Sequence, residues 1–175
     1  MSDAPVDPAM EAILKRRAEQ LAKLPLPADT GDEIEVLKCR LGREHYAVET
    51  RHLRAVQWAT GIVPVPSTPR FVLGIVSVRG EIVTLLDLAV MIGIGVTELS
   101  AESTAAVPVL LVGLPGLRCG LVVDEVLGVE RFKLNSLQPS LSGREFARGV
   151  GPDNTVLLDV EQLFNSGRFT VADEA

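Results

Sequence analysis

The chain has 175 residues and little of what usually announces catalysis, metal binding or membrane insertion. It has two cysteines, Cys39 and Cys119, far apart and in apolar strand-like stretches, with no CxxC pair. They read as two buried free thiols. With only His45 and His52 beside them, no metal-ligand set and no bound cofactor is expected. Aromatic residues make up 4% of the chain, so the core is aliphatic and rich in β-branched residues, which favours compact strands. Lys and Arg never form a run of five, the formal net charge is -6 and the sequence pI is near 5.0. A broad phosphate-binding face is thereby excluded, and protein partners are expected rather than nucleic acid. No apolar run approaches the roughly 18 residues of a spanning helix, and the start lacks a charged-then-apolar leader. A cytoplasmic protein with no direct membrane insertion is expected.

What is present is a change of period. Asp7 and Pro8 suit a helix start, and Met10, Ile13, Leu14, Ala18, Leu21 and Leu24 then recur on one helical stripe until Pro25 and Pro27. Residues 1–31 are therefore expected to be a helical extension and linker. From residue 33 the pattern turns to period 2 and short apolar runs. Strands are expected at 34–41, 45–49, 52–58, 62–65, 71–78, 81–86, 107–113, 118–123, 126–132 and 155–158, with Gly, Pro, Asn and Asp between them. Strands this short and frequent point to an all-β barrel or sandwich rather than a βαβ fold. A Ser, Thr, Ala and Glu-rich break at 95–106 separates two halves.

The halves repeat each other. Val83-Thr84-Leu85-Leu86-Asp87-Leu88, running to Gly93, matches Thr155-Val156-Leu157-Leu158-Asp159-Val160, running to Gly167. Asp87 and Asp159 each stand where a carboxylate can cap a short helix, and Gln162 gives Asp159 a capping-box spacing. Phe71-Val72-Leu73-Gly74-Ile75 matches Phe146-Ala147-Arg148-Gly149-Val150, and Tyr46-Ala47-Val48 matches Cys119-Gly120-Leu121. We read two small barrels, at 32–94 and 107–166, packed together because either alone would be marginal. The N-terminal stripe then either covers an apolar strip or forms a docking helix anchored by Ile13, Leu14, Leu21 and Leu24.

Catalytic patterns do not emerge. Ser142-Gly143 and Ser166-Gly167 lack the strand-turn-helix setting of a nucleophile elbow. Gly74 and Gly80 lack the Lys and Ser/Thr of a phosphate loop. His45 and His52 read as ordinary surface or edge histidines, and Asp124 and Glu125 as strand-end acids facing water. An enzyme with a cleft between the barrels, using Asp124 or His45, is a remote alternative.

One stretch carries a resemblance. Pro64-Val65-Pro66, then residues 71–88 with Ser77-Val78-Arg79-Gly80 at their centre, resemble the most characteristic segment of the CheW-like domain. Gly120-Leu121-Val122-Val123-Asp124-Glu125-Val126, residues 155–163 and the opening residues 41–48 resemble its other motifs, so the likeness spans about 33–166. It implies two packed five-stranded Src-homology-3-like barrels with a short helix after each last strand. It also implies a non-enzymatic scaffold or adaptor of bacterial two-component chemotaxis signalling. Its partners would be the regulatory domain of a CheA-type histidine kinase and the cytoplasmic tip of methyl-accepting chemoreceptors, in arrays reached through protein contacts. An adaptor of a non-flagellar pathway, in pilus motility or development, is the alternative. The binding residues implied are Arg79, Gly80, Gly74, Leu73, Leu53 and Val56 on the first barrel, with Asp124 and Val126 on the second. The family commonly has Glu where this chain has Ala55, as partner of the motif arginine. Arg79 is therefore expected to pair elsewhere, with Glu81 or Glu49.

Overall fold

A computed structural model describes residues 9, 12, 13, 15, 16, 33–95, 105–140 and 144–166. The chain divides into two units, Met1–Glu33 and Ile34–Ala175. In the first, residues 9, 12, 13, 15 and 16 are helical and Ile13 is 54% exposed. The other expected anchors, Leu14, Leu21 and Leu24, lie outside the described residues.

The described residues form ten strands: β1 (Glu33–Leu41), β2 (Glu44–Glu49), β3 (Leu53–Ala59), β4 (Val72–Val78), β5 (Glu81–Asp87), β6 (Val107–Leu114), β7 (Leu117–Val122), β8 (Glu125–Lys133), β9 (Ala147–Val150) and β10 (Val156–Leu158). Short helices α1 (Leu88–Met91) and α2 (Val160–Asn165) follow β5 and β10. Asp87 caps α1 by accepting from the Val90 amide at 3.2 Å, and Asp159 caps α2 through the Gln162 amide at 3.0 Å. Gly93 leaves α1 at φ 75°, where a side chain would be resisted. Residues 62–65 form no strand of their own. Val63 instead makes a two-hydrogen-bond bridge with Ile75, continuing β3 past a kink and closing its barrel onto β4. Gln138 and Val150 do the same in the other barrel.

The two five-stranded sheets run β8-β1-β2-β10-β9 and β3-β6-β7-β5-β4. The expected division at 32–94 and 107–166 therefore does not describe the barrels. The β1 barrel takes β1 and β2 from the first half of the chain and β8, β9 and β10 from the second, and the β3 barrel takes β3, β4 and β5 from the first half and β6 and β7 from the second. The physical reason lies in the parallel pairs. β10 pairs with β2 (Val156 with Tyr46) and β5 pairs with β7 (Thr84 with Cys119). Parallel neighbours need a long crossover, and the opposite half of the chain supplies it. The repeat noted in sequence is thus an exchange of equivalent strand pairs between barrels.

Three cores result. Val36, Ala47, Phe132 and Leu157 fill the β1 barrel. Val76, Val83, Leu85, Val109 and Val122 fill the β3 barrel. The largest cluster lies between the barrels and takes Leu37, Tyr46, Val48 and Leu158 from one sheet and Leu86, Leu110 and Leu121 from the other. Cys39 and Cys119 both lie in it, and burial pushes each thiol up to about 12, with the Asp124 charge adding to the effect at Cys39.

Candidate partner-binding surface

The β4–β5 hairpin and the β9–β10 hairpin are equivalent, yet the first is longer. Three rows match: Val72 with Leu86, Gly74 with Leu85 and Ile75 with Thr84 correspond to Ala147 with Leu158, Gly149 with Leu157 and Val150 with Val156. β4 and β5 then continue through Val76 with Val83, Ser77 with Ile82 and Val78 with Glu81. The β9–β10 hairpin turns back sooner, at Asp153-Asn154, where the Thr155 amide bonds to the Pro152 carbonyl at 3.1 Å.

The longer hairpin lifts an uncharged face into solvent. Val63 exchanges both backbone hydrogen bonds with Ile75, and Ile75 faces Thr84, so their side chains share one row on the outside of the barrel. Ser77 and Ile82 form the next row. Ile82 is 74% exposed and Val63 58% exposed. Neither was singled out from the sequence. The alternation of β5 did contain the signal, since Val83 and Leu85 point inward and leave Ile82 outward.

At the tip, Arg79 and Gly80 are exposed and both have positive φ, 50° and 84°. The Arg79 side chain has no hydrogen-bond or ion-pair partner among the described residues. Both expected partners are engaged elsewhere. Glu81 lies 3.4 Å from Arg118, and the buried Glu49 holds Arg51 at 2.6 Å and also Arg148. Ala55, on β3, offers no carboxylate.

Two further expected residues are placed otherwise. Gly74 is buried, and a Cβ there would stand 2.3 Å from the Val63 carbonyl oxygen, so it is where the closing strand crosses the hairpin. Leu73 is half-buried and packs against the β3-barrel core rather than standing at an exposed edge. Leu53, Val56 and Val126 are half-buried on strands of different barrels and rest against the inter-barrel cluster.

Asp124 and Glu125 do not simply face water. Asp124 Oδ2 accepts from the Gly42 amide at 2.6 Å, and Glu125 accepts from Arg40 Nε at 3.0 Å, tying the start of β8 to the β1–β2 turn. They line or flank a cavity of about 830 Å³ reaching Arg144, Gly93 and Ile94. Nearby, the Tyr46 hydroxyl donates to Glu44, and Arg144 donates to both, at 3.2 Å to Glu44 and 3.0 Å to Tyr46. These bonds, the Tyr46 one foremost, hold the Glu44 carboxyl below its usual range. Burial, then the Glu44 bond, pushes the Tyr46 phenol up. His52 is buried rather than a surface histidine, with Nε2 4.0 Å from Glu161. Among the described residues no cluster of His, Cys, Asp and Glu could hold a metal ion, and no helix is long and apolar enough to cross a membrane.

Two interlocked five-stranded barrels define the class: an all-β protein of two barrels that trade strands between the halves of the chain. The chain belongs to the CheW-like domain family, whose description matches it over residues 35–168. It is 31% identical to the chemotaxis protein CheW of Thermotoga maritima over 110 residues, covering 63% of this chain and 70% of that protein. It is 29% identical over 123 residues to protein FrzA of Myxococcus xanthus, covering 70% and 74%. The crystal structure of the scaffolding protein TtCheW from Thermoanaerobacter tengcongensis superposes with a TM-score of 0.64 at 26% identity, covering 75% of this chain and 92% of that one.

Proposed function

We propose that this CheW-type adaptor couples methyl-accepting chemoreceptors to a CheA-type histidine kinase, acting by assembly and without turnover. The observation that carries the reading is the uncharged Val63, Ile75, Ser77 and Ile82 face beside Arg79. Exposed β-branched side chains on a rigid sheet suit a protein interface. Leu53, Val56 and Val126, at the seam between the barrels, supply a second apolar surface from which a receptor tip gains contact with both barrels. Two linked contacts raise the effective concentration of kinase at receptor, and differential binding shifts the kinase between states. The site of action is the cytoplasmic side of a receptor array.

The test is reconstitution with the kinase and receptor encoded beside this chain. The wild-type chain is expected to bring both into one complex. Ile82→Asp is expected to fold normally and weaken kinase or receptor capture, and Leu53→Asp to weaken receptor capture. Full capture of both partners by a folded Ile82→Asp, Leu53→Asp double variant refutes this assignment. The likeness to FrzA and the alanine at position 55 favour, as a second reading, the same mechanism in a non-flagellar pathway. The receptors and kinase that co-purify from cells decide between them.

A further inference from the structure

The end of the β3 barrel that bears Arg79 is cationic in a way that its counterpart is not. A Cβ on Gly113 would stand 2.3 Å from Arg54 Nε, so the Arg54 side chain lies across bare backbone of β6. Gly113 pairs with Arg118 on β7. Arg118 reaches Glu81 on β5 at 3.4 Å, and Glu81 flanks the Arg79-Gly80 turn. Neighbouring strands lie only about 4.8 Å apart, so these steps bring Arg54, Arg118 and Arg79 to one end of one barrel. Glu81 is the single carboxylate along that path, and three arginines less one glutamate leave +2. The side chains of Arg54 and Arg79 have no ion-pair or hydrogen-bond partner among the described residues.

The same end of the β1 barrel has acids facing most of its cations, although Arg43 in the β1–β2 turn is exposed and its side chain has no partner among the described residues. Arg40 meets Glu125, Arg144 meets Glu44, and Lys38 lies 3.7 Å from both Glu130 and Asp153. One fold thus carries Glu44, Glu125, Glu130 and Asp153 against its cations at one barrel end and Glu81 against three arginines at the other, on a chain whose net charge is -6. Guanidinium groups left unpaired present forked donors that fit carboxylates, and three of them are too few for a phosphate backbone.

We infer that the Arg54, Arg79 and Arg118 end of the β3 barrel docks an acidic segment of a protein partner, which sets the partner chemistry of the Arg79 surface. The inference rests on the adaptor reading. Carboxylates of that segment displace water from Arg54 and Arg79 and draw Arg118 partly from Glu81. The contact is steered by charge and weakened by salt.

The experiment is calorimetric titration of the full chain with the neighbouring kinase and, separately, a receptor cytoplasmic fragment, from about 50 to about 400 mM NaCl. For one of them, wild-type affinity is expected to fall with salt. Arg54→Glu is expected to weaken that binding about ten-fold or more and to flatten the salt dependence, while Arg54→Lys stays close to wild type. Reversal of a partner carboxylate to arginine is expected to restore binding to Arg54→Glu. Arg118→Glu serves as a second variant, and Arg54→Glu, which breaks no ion pair, stands if that one fails to fold. Wild-type binding with Arg54→Glu within two-fold of it at every salt concentration overturns the inference alone. Wild-type failure to bind either protein overturns the adaptor reading beneath it. A wild-type dimer in light scattering that Asp153→Lys dissolves assigns the cationic end to a second copy of this chain and also overturns it.

Discussion

Arg79 and Asp153 occupy equivalent turns, each the first residue of a positive-φ pair, the one between β4 and β5 and the other between β9 and β10. Asp153 has φ 55° and is followed by Asn154 at 56°; Arg79 has φ 50° and is followed by Gly80 at 84°. Asp is a residue that tolerates this region, whereas Arg gains nothing local from it. The β3 barrel therefore holds an arginine at its tip against its backbone preference. Arg79→Asn gives the Asn-Gly pair that such turns favour. We expect it to stabilise the chain by about 0.5–1 kcal/mol, seen as a small rise in Tm, while kinase or receptor binding weakens. A loss of both stability and binding would show that Arg79 serves the fold.

Arg148 and Glu49 stand where the other barrel has Leu73 and Val122, on the equivalent bulged strand and on the strand two places from it in the sheet. The same slot is filled by an ion pair in one barrel and by apolar packing in the other. Removing Arg148 alone strands part of the charge of a buried carboxylate, although Arg51 still reaches it. Arg148→Leu is expected to cost about 1–3 kcal/mol. The double variant Glu49→Val, Arg148→Leu should return to wild-type stability or above, since the desolvated charge goes with its partner. Chemical denaturation of the two singles and the double measures this, and additive losses would contradict it.

Gly74 and Gly149 are equivalent, but the crossing backbone is closer at Gly74. A Cβ would stand 2.3 Å from the Val63 carbonyl oxygen there and 3.1 Å from that of Gln138 at Gly149. Gly74 also has φ 149°. Gly74→Ala is expected to destabilise by about 2–4 kcal/mol and Gly149→Ala by about 1 kcal/mol or less. Equal losses in thermal melts would mean that the two closures do not differ as described.

Glu44, bonded by Tyr46 and Arg144, has a carboxyl held below the usual range. The unfolded chain therefore binds this proton more readily than the folded one, and stability rises with pH across the interval between the lowered value and about 4.3. The contribution is present at neutral pH and is lost as pH falls through the folded value. The Tm difference between wild type and Glu44→Gln is expected to be full at pH 7 and to close below about pH 4. A difference constant across that range would remove Glu44 from the account of acid stability.

Nine of the ten strands, the helix caps and the repeat were legible in the residues because they depend on local chemistry, whereas β9 (Ala147–Val150) was not expected as a strand and the one expected at 62–65 is an isolated bridge. Asp87 and Asp159 must satisfy free amides three residues ahead, and alternation on β5 separates Val83 and Leu85 from Ile82 whatever the rest of the chain does. The Arg79-Gly80 turn was likewise visible as a motif. Its surroundings were not. Which strands share a barrel depends on pairings such as Val156 with Tyr46, between residues more than half the chain apart, and no local pattern encodes them. That exchange decided that Glu49 would meet Arg148 and Glu81 would meet Arg118, leaving Arg79 without either. It also brought Arg54 to the Arg79 end by laying it over Gly113. The sequence by itself determined a β-rich repeat with an arginine-glycine turn. Only the tertiary structure decided which charges that turn would find, because ion pairing depends on distance in space and the strands were traded between the halves.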